Sequence, residues 1–322
     1  MSTIAMDKIF TTMNNPILYN GKSFLIVKFG LFSAIASFVT TSLFLTYLAS
    51  KGIVFGPEII FWYTVALLLS VFFSKLLHPL VVGKEFFVDP KKYLRQTAFY
   101  NQGGQIGIIV GMLLLSYAEK ISPLLLLDAI CYGGCLALVI GRIGCYNYGC
   151  CYGRPTNSWF SIRYTHQEAK ILRVNPQLYN VKIIPTQLIH AGFDFVLFVG
   201  LTLVYFAQPQ DGVLCLIFGV CYNIFRLTTQ KFRGNEIDQH SKREEKIFVA
   251  LSRALIFISL LLPLLIYFYY EHLSTTPTIV PLSFTLYFKT IFLNLSYLVT
   301  SILGALIYFF AHGYHKTLGK HI

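Results

Sequence analysis

Charge is what this sequence has least of. Asp, Glu, Lys and Arg together make up 12% of its 322 residues, about half the ~25% of an ordinary soluble domain. Apolar residues reach 55% and aromatics 16%. A soluble fold cannot hide that much apolar surface behind so few charges, which excludes the two soluble domains that length alone suggests. The first 22 residues also lack the basic start, apolar stretch and small-residue cleavage site of a signal peptide. There is no low-complexity tract, heptad run or tandem repeat. Paired C-x2-C spacings are missing too, although seven cysteines lie between Cys131 and Cys221. Without such spacing a cysteine in an apolar helix is an ordinary small residue, so no metal and no cofactor is expected. The net charge of +12 has no soluble basic domain to carry it, which excludes a nucleic-acid partner.

What is there reads as membrane. About 20 mostly apolar residues cross a bilayer core as a helix. Eight stretches come near that length: 29–49, 59–74, 96–118, 121–140, 185–207, 212–225, 247–270 and 290–311. The expected fold is an all-α polytopic membrane protein of about seven to eight transmembrane helices with short loops, a single integral domain over 1–322. The long polar insertions, 75–95, 141–184 and 226–246, each follow an even-numbered span and therefore share one side. Of the 26 basic residues, 22 fall on that side with both termini. The positive-inside rule assigns such a side to the cytoplasm.

Ionisable residues within spans are costly and often functional. Asp128, His190, Asp194 and Arg253 qualify. His190 and Asp194 are spaced i, i+4 and share a helix face, as a base with its orienter or as a buried polar pair. Residues 141–156 read GRIGCYNYGCCYGRPT. Four glycines and a proline predict a helix broken as it leaves the bilayer, with backbone open to close approach. Arg142 and Arg154 lie in this stretch, and the planar guanidinium fork suits phosphate. A phospholipid-headgroup site is the reading these residues favour.

The same stretch resembles the signature of the bacterial prolipoprotein diacylglyceryl transferases, G-R-x-G-N-F-x-N-x-E-x-x-G-x-x-T. Gly141, Arg142, Gly144, Gly153 and Thr156 match it. Pro185, Thr186, Gln187 and Leu188 resemble the later H-P-[ST]-Q-L-Y-E motif. Tyr222, Phe225 and Arg226 resemble Y-G-x-F-R, and Gly103 with Gly104 resembles H-G-G-L-x-G. The resemblance spans about 20–236, leaving 237–322 as extra C-terminal spans.

The resemblance implies transfer of a diacylglyceryl group from phosphatidylglycerol to the lipobox cysteine thiol of a prolipoprotein. Glycerol phosphate is released, and the reaction belongs to the cytoplasmic (inner) membrane with the signature facing outward, opposite to the side that charge sorting assigns to it. It implies catalytic roles for Arg142, Arg226 and Tyr222. Phospholipid contacts fall to Gly103, Gly104, Gly141, Gly144, Gly153, Arg154, Thr156 and Gln187. Several positions depart from the pattern. Gln102 replaces a histidine, Cys145 an asparagine, Cys150 a glutamate, Phe29 a tyrosine and His190 a glutamate. Glutamine takes no proton at neutral pH, so His190, paired with Asp194, is expected to serve as base. The alternative is a phospholipid-binding membrane protein that keeps the scaffold and has lost the chemistry.

Overall fold

A computed structural model describes residues 15–88, 100–234, 239–269 and 278–315 of the chain. Eight long helices carry the fold: α1 (Lys28–Ser50), α2 (Glu58–Val82), α3 (Asn101–Glu119), α4 (Pro123–Tyr148), α5 (Thr186–Phe206), α6 (Val213–Thr229), α7 (Gln239–Tyr269) and α8 (Leu295–Gly313). Each of the eight predicted stretches overlaps one of them, with residues 96–99 and 270 outside the described residues. Six helices are long and apolar enough to cross a membrane: α1, α2, α4, α5, α6 and α8. Asn101, Gln102 and Gln105 in its opening turns keep α3 below that level.

Two boundaries move. The stretch 290–311 is not one helix: a short helix, Phe284–Phe292, ends first, and Asn294 then starts α8 by accepting from the Tyr297 N–H at 3.3 Å. Asparagine is a strong N-cap, which decides the break. The predicted break near Gly141 does not occur. Instead α4 runs through Gly141 and Gly144 to Tyr148 and ends at Gly149, whose φ of 77° is the left-handed cap glycine adopts without strain. Isolated glycines within a helix packed on neighbours cost it little.

Along α1 lie α4 and α8; α2 packs on α3, α5 on α4 and α7 on α6. Gly103, Gly107 and Gly111 form one stripe of α3. A Cβ on them would meet Phe73 O at 2.2 Å, Leu69 O at 2.4 Å and the Ala66 Cβ at 2.4 Å. That stripe lets two backbones approach closely, as small residues do between membrane helices. Gly103, expected at a headgroup, is therefore spent against α2.

Polarity is arranged as lipid requires. Val196, Val199 and Leu203 of α5, with Leu68 and Phe72 of α2, stand exposed. Thr41, Ser42 and Thr46 of α1 are buried. Thr41 and Thr46 return their hydroxyls to carbonyls one turn back, while Ser42 meets Ser301 of α8 at 3.4 Å.

Both ends of the described chain lie at one end of the bundle. A small antiparallel sheet joins β1 (Ile17–Asn20), β2 (Leu25–Val27) and β3 (Tyr314–His315), with Leu25 opposite His315. Beside it the α1 and α8 backbones touch at Gly30 and Gly313, where an added Cβ would lie 2.3 Å from Gly313 Cα. Residues 149–184 cap the same end around a small core in which Tyr146 of α4 joins Tyr152, Tyr164, Ile171 and Ile183.

Candidate functional site

Asp128 lies at the far end. Its carboxylate accepts the Gly212 and Cys215 N–H groups at 2.7 Å each, pinning the start of α6. A carboxyl there satisfies N–H groups that the first turn of a helix leaves without an intrahelical partner. Arg142 lies fourteen residues further along α4, about 21 Å at helical rise. Asp128 is thus a fold residue, and the polar groups near Arg142 make up the site.

Arg142 is only 8% exposed and Arg226 7%. The Arg142 Nη2 donates to the Tyr222 hydroxyl at 3.2 Å, and the Asn101 side-chain amide donates to the same oxygen at 2.9 Å. Three helices, α4, α6 and α3, meet at that phenol. Because both bonds bring N–H donors to its oxygen, Tyr222 keeps its own proton for a further acceptor. One turn on from Tyr222, the Arg226 guanidinium lies over the Phe248 ring of α7, 4.5 Å from its centroid.

Facing them is a polar stripe on α5: Gln187, His190 and Asp194, at i, i+3 and i+7. All three are buried, and each holds an unpartnered atom: Gln187 Oε1, His190 Nδ1 and both Asp194 carboxylate oxygens. The expected His190–Asp194 hydrogen bond is not formed. His190 Nε2 instead meets Thr229 Oγ1 at 2.9 Å, and the ring packs edge-on against Phe225. Side chains one turn apart project along the same face rather than toward each other, and the Thr229 hydroxyl from α6 lies closer to hand. Both arginines exert their charge on Asp194, yet neither hydrogen-bonds it. Buried polar groups ordinarily find partners, and among the described residues these four atoms have none.

The remaining predicted residues divide. Gln187 donates to the Cys150 carbonyl at 2.7 Å, and Thr186 to the Cys151 carbonyl at 2.6 Å, tying the start of α5 to the turn after α4. Gly153 packs so closely on Ile184 that a Cβ would lie 2.4 Å from its carbonyl oxygen. Gly144 lies against Phe29 and Phe32 of α1, and Gly104 beside Ser70 of α2. Gly141 has no heavy atom within 4 Å of a built Cβ, so no close packing there calls for glycine. Arg154 is exposed, and its backbone bonds Phe232 and Ile184. Thr156 accepts from the Ser158 N–H. No contact of Arg154 or Thr156 joins them to Arg142.

Sequence reasoning did not single out Asn101, Thr229 or Phe248. A polar residue opening a span is an ordinary helix start, and nothing local sets these apart. The sequence places Cys145, Cys150 and Cys151 around one turn-rich stretch without paired C-x2-C spacing, and their sulfurs lie within 4.8 Å of one another. The turn that gathers them is tight: Gly149 takes φ 77° and Cys151 φ 55°, and the Cys150 N–H bonds the Cys145 carbonyl at 3.2 Å.

A family model described as prolipoprotein diacylglyceryl transferase matches residues 16–269, so the match runs through α7 and its Phe248. The phosphatidylglycerol--prolipoprotein diacylglyceryl transferase of Dehalococcoides mccartyi is 29% identical over 198 residues, 62% of this chain and 72% of that protein. Phosphatidylglycerol--prolipoprotein diacylglyceryl transferase 2 of Clostridium perfringens is 28% identical over 215 residues, 65% of this chain and 80% of that protein. A Clostridium tetani protein of the same name is 26% identical over 180 residues, covering 55% and 69%.

Proposed function

The chain belongs to the prolipoprotein diacylglyceryl transferase family, and from that membership we propose that it moves a diacylglyceryl group from phosphatidylglycerol to the lipobox cysteine thiol of a prolipoprotein. It is a multi-pass membrane transferase, and its place on this reading is the cytoplasmic membrane.

The observation that carries the reading is the Tyr222 hydroxyl. Arg142 and Asn101 both donate to it, which leaves its proton for an acceptor in a site lined by two buried arginines. A lipid phosphate is such an acceptor. Attack by the thiol sulfur on the glyceryl carbon forms the C–S bond and sends the C–O electron pair onto the phosphate oxygen. Negative charge then gathers on the leaving glycerol phosphate, where fixed donors in a water-poor site stabilise it most. Arg142 and Arg226 supply the charge, and Tyr222 a hydrogen bond that strengthens as the charge grows. His190, expected as the base, keeps Nδ1 open for the thiol proton, and Gln187 and Asp194 offer their unpartnered atoms to the glycerol hydroxyls. In this assignment Gly103, Gly144 and Gly153 act through the close packing that sets the helices and the turn around the site.

A second reading, lipid binding without transfer, is favoured by one residue: Gln102 cannot take a proton where the family pattern has histidine. Complementation separates the two. In cells depleted of their own transferase, the chain restores lipoprotein maturation and its Arg142→Ala and Arg226→Ala forms do not. Failure of the well-inserted unmutated chain selects the lipid-binding reading.

A further inference from the structure

The transfer reaction needs a thiolate. Gln102 is not a base, and His190, its Nε2 on Thr229, has Nδ1 alone to take the proton; a second means of making the thiolate lies in the turn after α4. Three thiols lie close by. Cys145 follows Arg142 by one turn of α4, and Cys150 and Cys151 return beside it, all three sulfurs within 4.8 Å and none fully buried. Two of these cysteines stand where the family pattern has Asn and Glu. Their backbone is fixed from α5 through Thr186 and Gln187, and Gln187, fully buried against Cys150, leaves its Oε1 unpartnered. Cys151 holds a left-handed φ of 55°, a conformation uncommon for a residue with a side chain.

We propose that Cys145, Cys150 and Cys151 hold a zinc ion whose fourth position takes the acceptor's cysteine sulfur. Thiolates about 2.3 Å from a tetrahedral zinc lie about 3.8 Å apart, a small contraction of the spacing seen here. Three protein ligands with one open position is the arrangement of a zinc that acts on a substrate. A thiol that joins zinc loses its proton, here to solvent. The bound sulfur then uses a lone pair to form the C–S bond at the glyceryl carbon. The C–O pair leaves on the phosphate held by Arg142 and Arg226, one turn of α4 and a neighbouring helix away. The replacements that removed the family's polar groups on this reading installed another route to the nucleophile. This inference rests on the transfer activity proposed above, but the metal site can be tested without it.

The test uses the full chain purified with reductant in lipid nanodiscs. Elemental analysis is expected to give ~1 zinc per chain, and Cys145→Ser, Cys150→Ser and Cys151→Ser are each expected to lose most of it. Cys221→Ser, exposed and outside the cluster, is expected to keep its zinc. Thermal melting of each variant checks that it is folded. In the unmutated chain, cobalt exchanged for zinc is expected to show sulfur-to-cobalt absorption that shifts when a lipobox peptide is added, and not with its Cys→Ser analogue. Removing zinc by chelation is expected to slow transfer about 100-fold, the scale of losing the group that generates a nucleophile. Readded zinc should restore it. A chain without zinc, a cobalt spectrum blind to the peptide thiol, or full transfer by the chelated chain each overturns the proposal. A peptide-responsive metal site in a chain that never transfers lipid upholds the site and defeats the transfer reading instead.

Discussion

Arg142 and Tyr222 show how a residue's role depends on what surrounds it. A guanidinium on a membrane helix is costly unless something anionic answers it, and among the described residues no carboxylate bonds this one. Arg142→Ala is expected to lower transfer from phosphatidylglycerol to a lipobox peptide ~100–1000-fold, the scale of removing one fixed donor from a developing anion. Arg142→Lys should recover only part, because a point charge does not replace the planar fork. Tyr222→Phe, which removes the hydroxyl that donates to the phosphate and accepts from Arg142 and Asn101, is expected to lose about 10–100-fold, the worth of a hydrogen bond to a charged group. An unchanged rate in Tyr222→Phe would place the leaving phosphate elsewhere. Arg142 stands out in the sequence because an arginine in a turn-rich stretch is conspicuous in a chain with so little charge, while Tyr222, Gln187 and Arg226 came from the resemblance to the family's motifs. Asn101 and Phe248 were not, since their relevance comes only from helices 121 and 22 residues away in sequence from the side chains they touch. The His190–Asp194 pair was misread for a related reason: spacing gives the shared face, but the neighbouring helix supplied the better partner, Thr229.

Among the helices, the glycines do two kinds of work, and substitution separates them. Gly107→Leu puts a branched side chain where a Cβ would already lie 2.4 Å from Leu69 O. It is expected to cost about 1–3 kcal/mol or more as α2 and α3 separate, read as a lower melting temperature in detergent. Gly134 lies within α4 with nothing within 4 Å of a built Cβ. Gly134→Ala is accordingly expected to raise stability by about 0.5–1 kcal/mol. Asp128→Asn, far from Arg142 on the same helix, should loosen the start of α6 by about 1 kcal/mol while leaving affinity for phosphatidylglycerol vesicles unchanged. The eight apolar stretches told where helices lie, because length and hydropathy dominate in lipid. Their ends followed local caps that hydropathy does not see, Asn294 starting α8 and Gly149 ending α4. That is also why the anticipated break at Gly141 came eight residues later.

For the molecule as a whole, the three-stranded sheet decides the parity of the chain. With Leu25 opposite His315, both ends of the described chain emerge at the end that bears the site, which requires an even number of crossings. Reporters inserted after Asn180 and fused at the C-terminus are expected to report one side, and a reporter at Gly52 the other. An opposite assignment for the first two would break the eight-helix arrangement. The charge sorting of the sequence anticipated this grouping, although Arg142 and Arg226 contribute to it as site residues rather than as markers of side. The central claim is that the buried arginine–tyrosine site transfers lipid to a thiol. Its most direct measurement is the mass of a lipobox peptide incubated with the purified chain and phosphatidylglycerol. A gain of one diacylglyceryl group on the cysteine, matched by released glycerol phosphate and lost in Arg142→Ala and Arg226→Ala, is the result predicted. A folded chain that binds phosphatidylglycerol and leaves the peptide unmodified would contradict it.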